Sequence, residues 1–345
     1  MLERTQKLAI FMEGTLGDFV GKMGDGILRY SPNPVVAVVD SRHAGKDVRE
    51  VILSPRPCPV VASVAEAIAL GAEVVVVGAA TSGGYIPPDW HDALDLAVRE
   101  GLCLVNGMHE LLAPRYPNLR PGQWVWDVRV EPPGIGIATG ECAHLPNKRL
   151  LMVGTDMGIG KMTAGLEVYR SALERGVTAE FVATGQVGIT ITGKGVPIDA
   201  VRVDFACGAV EREVLRCKEA ELVIVEGQGS LLNPAASANL SLTRGTMPTH
   251  LILCHMAGKT SLKRYPWIAI PPLEKLMALH QDLAEACGTF GCPAAVGVAL
   301  NTSHLAEVEA REVLRRTQEE TGMVCTDPVR FGAGRLVEEI LARYS

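Results

Sequence analysis

Short apolar runs alternate with amphipathic stretches along the whole chain, and their two periods separate strands from helices. In the first third, the runs Leu8–Met12, Val35–Val39, Glu73–Val77 and Leu102–Val105 predict strands, with helices over Phe19–Tyr30, Val64–Leu70 and Asp89–Arg99. VVAVVD and EVVVVG show no polar alternation, the pattern of strands covered on both faces, so the sheets are expected to be mainly parallel. From 115 to 147 the pattern breaks into a proline- and glycine-rich stretch around WVWDVRV, which reads as a junction. The alternation then restarts. Strands fit Leu150–Val153, Ala179–Ala183, Leu222–Glu226, His250–Cys254 and Ala295–Leu300. Helices fit Lys161–Arg175, Val203–Lys218, Leu273–Ala286 and Leu305–Thr321, and a last one follows Gly334. The expected fold class is α/β, as two doubly wound domains over 1–145 and 146–345.

One segment brings chemistry with it. LLMVGTDMGIGKMT, from Leu150, is an apolar strand, a loop with Gly154, Gly158 and Gly160, then Lys161 opening a helix. Glycines let backbone N–H groups close around phosphate oxygens, the helix start adds partial positive charge, and the lysine adds a full one. Against G-x-x-x-x-G-K-[ST], Thr155 takes the first glycine position and Met162 replaces the hydroxyl that normally holds magnesium; Thr163 lies one residue on. Diphosphate binding therefore fits better than magnesium-dependent triphosphate chemistry. A similar series, LAIFMEGTLGDFVGKMGDG from Leu8, would place Gly21 and Lys22 at a second anion site, although chance likeness between glycine loops accounts for it equally well.

Ligands of open α/β sheets bind beyond the carboxyl ends of the strands, so the residues there are the site candidates. They are Asp156 in the loop; Thr184 and Gln186 after Ala183; Glu226 and Gln228 after LVIV; His255 after THLIL; and Asn301 after VGVAL. Glu226 is placed to hold magnesium or to act as general base, and His255 to shuttle a proton. Asp199 and Asp204, beside a helix start, read as caps. Lys259, Lys263 and Arg264 read as a solvated basic loop. In the first domain Asp40 and Arg42 follow VVAVV, where an acidic residue contacts a ribose in dinucleotide folds, but no clean G-x-G-x-x-G precedes them.

Composition narrows the classes. The 345 residues exceed the ~150 usual for one domain, and 48% hydrophobic with 21% charged residues is globular. A net charge of −6 gives no electrostatic reason for nucleic acid or an anionic membrane as partner. No apolar run approaches the ~20 residues of a membrane span, and the start lacks a signal-sequence pattern, so a cytoplasmic protein is expected. The nine cysteines form no C-x-x-C pair and read as reduced, mostly buried thiols. Cys254 and His255 fall on opposite faces of a strand, which argues against a zinc site, and no metal is expected.

GTDMGIGKMT and VEGQGS resemble motifs of dethiobiotin synthetases within the phosphate-loop superfamily. With DSRHAGKDV, ATGQVGI, VPIDAVRVDFACGAVE, VEGQGSLLNPA and IPPLE, the whole chain more closely resembles a two-domain bacterial family, Rossmann-like followed by P-loop NTPase-like. Its members have been assigned D-glutamate N-acetyltransferase activity. That resemblance implies acetyl-CoA as co-substrate, with its pyrophosphate on Gly154, Thr155, Asp156, Gly158, Gly160, Lys161, Met162 and Thr163. It also implies a small amino-acid acceptor. The alternatives are a Mg-ATP-dependent ligase or kinase, and a nucleotide sensor without turnover. A homo-oligomer is expected, as for many soluble enzymes.

Overall fold

The structure, a computed structural model, describes residues 2–342. The chain divides into two compact units: residues up to Val130 with Gln186–Ala200, and Glu131–Gly185 with the chain from Val201 onward. The expected boundary at 145/146 placed 131–145 in the first unit and 186–200 in the second; both lie the other way. Hydrogen bonds explain the first change. Arg202 N donates to Glu131 Oε2 at 2.9 Å, Arg212 Nη1 to the Pro133 carbonyl at 3.0 Å, and Thr139 N to Glu211 Oε2 at 2.6 Å. The second change follows from Asp199, which pairs with Arg129 at 3.3 Å.

The first unit holds β1 (Leu8–Phe11), α1 (Lys22–Tyr30), β2 (Val35–Val39), β3 (Val60–Val61), α2 (Val64–Ala69), β4 (Val74–Val77), α3 (His91–Arg99), β5 (Cys103–Asn106) and β6 (Val125–Asp127). They form one parallel sheet in the order β3-β2-β1-β4-β5-β6. All four valines of β4 are buried, which is why its sequence shows no alternation. Val75, Val77, Leu94, Leu104 and Trp90 share one core, with Trp90 edge-on to Phe11 at 5.3 Å between ring centres. Part of the supposed junction is thus structural: WVWDVRV supplies β6, a half-buried edge strand whose one neighbour is β5.

The second unit runs β7 (Lys148–Gly154), α4 (Lys161–Glu174) and β8 (Ala179–Val182), and the chain then enters the first unit for α5 (Gln186–Thr192). It returns for α6 (Val203–Arg216), β9 (Leu222–Val225), α7 (Ala238–Thr246), β10 (His250–Met256), α8 (Leu273–Glu285), β11 (Ala294–Asn301), α9 (Glu307–Thr321), β12 (Val324–Thr326) and α10 (Gly334–Ala342). Its parallel sheet is ordered β12-β11-β10-β7-β9-β8. In both sheets the order reverses beside the first strand of the unit, the place where such sheets leave a crevice for ligands. Cys58, Cys103, Cys142, Cys254 and Cys325 are buried free thiols, and burial pushes the Cys254 thiol up to about 12. Among the described residues no helix is long and apolar enough to cross a membrane.

Arg149 anchors the entry into the second sheet. Its side chain is buried on β7, Nε donates to the Met247 carbonyl at 2.9 Å, and Nη1 donates to the carbonyls of Leu145 and Asn147, each at 2.9 Å. Met247 ends α7 in the left-handed region, φ 45°, so the guanidinium secures a backbone turn that methionine rarely adopts. Arg149→Met keeps the apolar stem and strands these carbonyls. A loss of about 3 kcal/mol is expected, read as a lower denaturant midpoint with unchanged slope.

Candidate functional site

The phosphate-type loop forms where the sequence places it, between the end of β7 and the start of α4. Gly160 precedes the helix with φ 109°, a conformation closed to ordinary side chains, and so lets α4 begin directly at Lys161. The first amides of the helix have no partner within it and head its positive end. Lys161 is buried, with Nζ donating to the Asp156 carbonyl at 2.8 Å, so its charge sits within the loop.

Asp156 anchors the loop. Oδ1 accepts from Met157 N at 2.8 Å and Asn233 Nδ2 at 2.9 Å; Oδ2 accepts from Lys259 Nζ at 2.7 Å and Lys263 N at 2.9 Å. Burial by itself would raise its pKa, but these donors outweigh it and hold the carboxyl down at about 2. Lys259 is therefore no solvated residue: its side chain is 15% exposed and ion-paired. Thr155 is fixed on three sides. Its N–H donates to the Cys254 carbonyl, its carbonyl accepts from Ser230 Oγ at 3.0 Å, and its hydroxyl lies 3.0 Å from His255 Nδ1. Burial, reinforced by the Lys259 charge, pushes His255 down to about 4, so the imidazole is neutral at pH 7.

Beyond β9 a second cluster forms. Glu226 Oε2 accepts from the backbone N–H groups of Thr184 at 2.9 Å and Gly185 at 3.0 Å, while Thr184 Oγ1 returns a bond to the Glu226 carbonyl at 2.8 Å. Gln228 Nε2 donates to the Thr184 carbonyl. A Cβ on Gly227 would fall 1.6 Å from the Met152 carbonyl oxygen, so glycine is required for this turn to pass β7. Asn301, ending β11, reaches the Ile159 carbonyl at 3.5 Å, at the margin of a hydrogen bond.

The second unit thus gathers Gly154 to Thr163, His255 and Asn301 at one loop, and Glu226, Thr184 and Gln228 at the next. Gln186 belongs to the first unit, where it opens α5. Asp40 and Arg42 are braces in that unit. Asp40 is buried and accepts from Leu16 N and Arg42 N, and Arg42 Nη1 holds the Gly14 carbonyl. Asp40 takes its hydrogen bonds from backbone groups, with His43 Nδ1 3.5 Å from Oδ2, the arrangement of a loop anchor. Asp199 caps no helix; it faces Arg129 and His109. Sequence reading overlooked Asn233, Ser230 and Lys263 as partners of the loop. Their one signal was position, on the segments following neighbouring strands.

A parallel sheet with a glycine loop, lysine and helix after its central first strand defines a P-loop domain, and the order of the first sheet defines a Rossmann-like one. Residues 136–337 match the P-loop domain, and residues 41–131 the Rossmann-like domain, of a family described as a domain of unknown function, DUF1611. The chain belongs to that family. It is similar to a D-glutamate N-acetyltransferase of Tritonibacter scottomollicae, 38% identical over 283 residues, 80% of this chain and 84% of that protein. A D-glutamate N-acetyltransferase of a Pseudoalteromonas species is 34% identical over 281 residues, covering 81% and 84%. A crystal structure of a DUF1611 family protein from Anabaena variabilis superposes with a TM-score of 0.96 at 45% identity, covering 98% of this chain and all of that one. The chain is an enzyme of the acyltransferase type.

The Asp156 anchor gives a pH-dependent prediction. A carboxyl held at about 2, below its ordinary 3.8, stabilises the fold fully above pH ~4 and loses that contribution as pH falls towards 2. Asp156→Asn should cost about 2 kcal/mol at pH 7. The difference between wild type and variant, followed by chemical denaturation, should shrink as pH falls from 4 towards 2.

Proposed function

We propose that the enzyme transfers an acetyl group from acetyl-CoA to the amino group of a D-amino acid, with D-glutamate the leading acceptor. The carrying observation is the loop itself: a glycine-lined turn with a buried lysine and a helix start, and with Met162 where the magnesium-binding hydroxyl would stand. That combination suits the pyrophosphate of coenzyme A and asks for no triphosphate cleavage. The names of the two curated relatives support acetyl transfer to the same acceptor.

In this reading Lys161 and the first amides of α4 neutralise the pyrophosphate. The deprotonated amine attacks the thioester carbonyl, the C–N bond forms, and the C–S bond breaks. The thiolate of coenzyme A leaves and takes up a proton. Glu226, aimed by its two amide bonds, accepts the proton of the amine. His255 keeps Thr155 and the loop in place.

Thiol release from acetyl-CoA, with D-glutamate, L-glutamate and no acceptor in parallel and mass spectrometry on the product, tests the reading. Acceptor-dependent release with D-glutamate is expected, undiminished by EDTA. Silence across D- and L-amino acids, with magnesium-dependent phosphate release from ATP instead, would replace it with an ATP-dependent enzyme. Lys161→Ala should raise the KM for acetyl-CoA 10- to 100-fold, the loss of one charge-assisted contact worth about 1.5–3 kcal/mol. Glu226→Gln should lower kcat about 100-fold with donor KM nearly unchanged.

A further inference from the structure

The first unit has a cavity of its own, about 270 Å3, at the carboxyl ends of β4, β5 and β6. Lys22, Thr81, Gly84, Met108, His109 and Arg129 line it. Lys22 is the first residue of α1, the helix that follows β1, and the strand order reverses between β1 and β4. The cavity therefore occupies the ligand position of a doubly wound sheet. It also gives the sequence likeness between the two Gly-Lys-Met series a structural basis: Lys22 heads α1 as Lys161 heads α4. The approach to α1 is a 3-10 turn, Phe19–Gly21, so the two lysines share a place in the fold and serve different loops.

The charges around this cavity are specific. The Arg129 side chain is 13% exposed, its Nε is buried with no hydrogen-bond partner, and burial lowers its pKa. A desolvated guanidinium with an unmet donor is costly unless something completes it. Asp199 Oδ2 lies 3.3 Å from Arg129 Nη2 and 3.9 Å from His109 Nε2. Burial and the neighbouring Arg129 lower the pKa of His109, which leaves the ring neutral at pH 7. Lys22 and Arg129 both bring positive charge to this lining, and Asp199 faces Arg129 across it. A dicarboxylic amino acid carries the opposite balance, two carboxylates and one ammonium.

We infer that this cavity is the acceptor site, taking a dicarboxylic amino acid with its carboxylates on Arg129 and Lys22 and its ammonium within the field of Asp199. The inference rests on the acetyltransferase reading for the role of the ligand, not for its chemistry. Arginine matches a planar carboxylate with two parallel bonds. Asp199 disfavours simple polyanions and favours a ligand that brings its own positive charge. At about 270 Å3 the cavity falls just below the ~300–1,000 Å3 usual for ligand pockets, which suits a small metabolite.

Steady-state kinetics of the full chain, with Arg129→Met and the exposed Lys22→Met, separate this inference from the reading beneath it. Acceptor KM should rise 10- to 100-fold in each, with the KM for acetyl-CoA within twofold of wild type. If the wild type turns over and both variants keep its acceptor KM, the cavity is not the acceptor site and the acetyltransferase reading stands. If the wild type releases no thiol, that reading falls, and calorimetric titration of the wild type with D-glutamate, L-glutamate and glutarate decides the cavity. Heat with a glutamate that Lys22→Met abolishes supports it; no heat overturns it. Asp199→Asn should shift preference from glutamate towards glutarate, and an unchanged preference would remove the role of Asp199. Thermal melting accompanies each variant, and where Arg129→Met fails to fold, Lys22→Met decides alone.

Discussion

The second unit depends on one buried carboxylate. Asp156 draws donors from its own loop, from Asn233 after β9, and from Lys259 and Lys263 after β10. Those segments follow the strands on either side of β7, so a single side chain pins the loops of three adjacent strands. Desolvating a charge costs several kcal/mol, and only a full set of donors with one true cation offsets it. The result is a loop set before any ligand arrives. Its backbone carbonyl holds the Lys161 ammonium, so the residue that anchors the cradle also places the charge that fills it. Preorganisation of this kind lets binding energy go into the ligand rather than into ordering the loop.

The two sheets use the same topological position in different ways. In the second, the loop after the first strand wraps closely and offers backbone donors, which suits phosphate oxygens. In the first, the Asp40 and Arg42 braces occupy the loops after β1 and β2, and the open space lies over β4, β5 and β6, lined by side chains. Side-chain cations on a small cavity suit carboxylates of defined spacing. A net charge of −6 does not conflict with either site, because local fields at the strand ends are set by the nearest groups.

How much of this was legible follows from the range of the interactions involved. β4 and β7 are read from their unbroken apolar runs, and the loop from its glycines and lysine, because each signal is contained in a few consecutive residues. The clamp on Asp156 was not legible: its partners lie 77, 103 and 107 residues away, and Lys259 and Lys263 look like a solvated basic stretch until the fold supplies the carboxylate. The helices α5, QVGITIT, and α7, ANLSLTRGT, are rich in glycine, threonine and serine, poor helix formers that tertiary packing holds in place. β3 and β12, of two and three residues, are too short to show a period. Arg129 gave no signal, since its meaning depends on Asp199, which the sequence assigned to another domain and another role.

Geometry also separates the two groups read as candidate bases. A catalytic base works best with a pKa near the working pH. His255, held at about 4 by burial and by Lys259, binds a proton too weakly to take one from an ammonium at pH 7, and its Nδ1 is engaged by Thr155. The weak basicity of His255 thus comes first from its burial, and Lys259, the cation of the Asp156 clamp, adds to it. Glu226 is held differently: its two amide donors come from the turn after β8, and they orient the carboxylate. On the proposed acetyltransferase reading, orientation rather than basicity favours Glu226 as the base and leaves His255 to position Thr155.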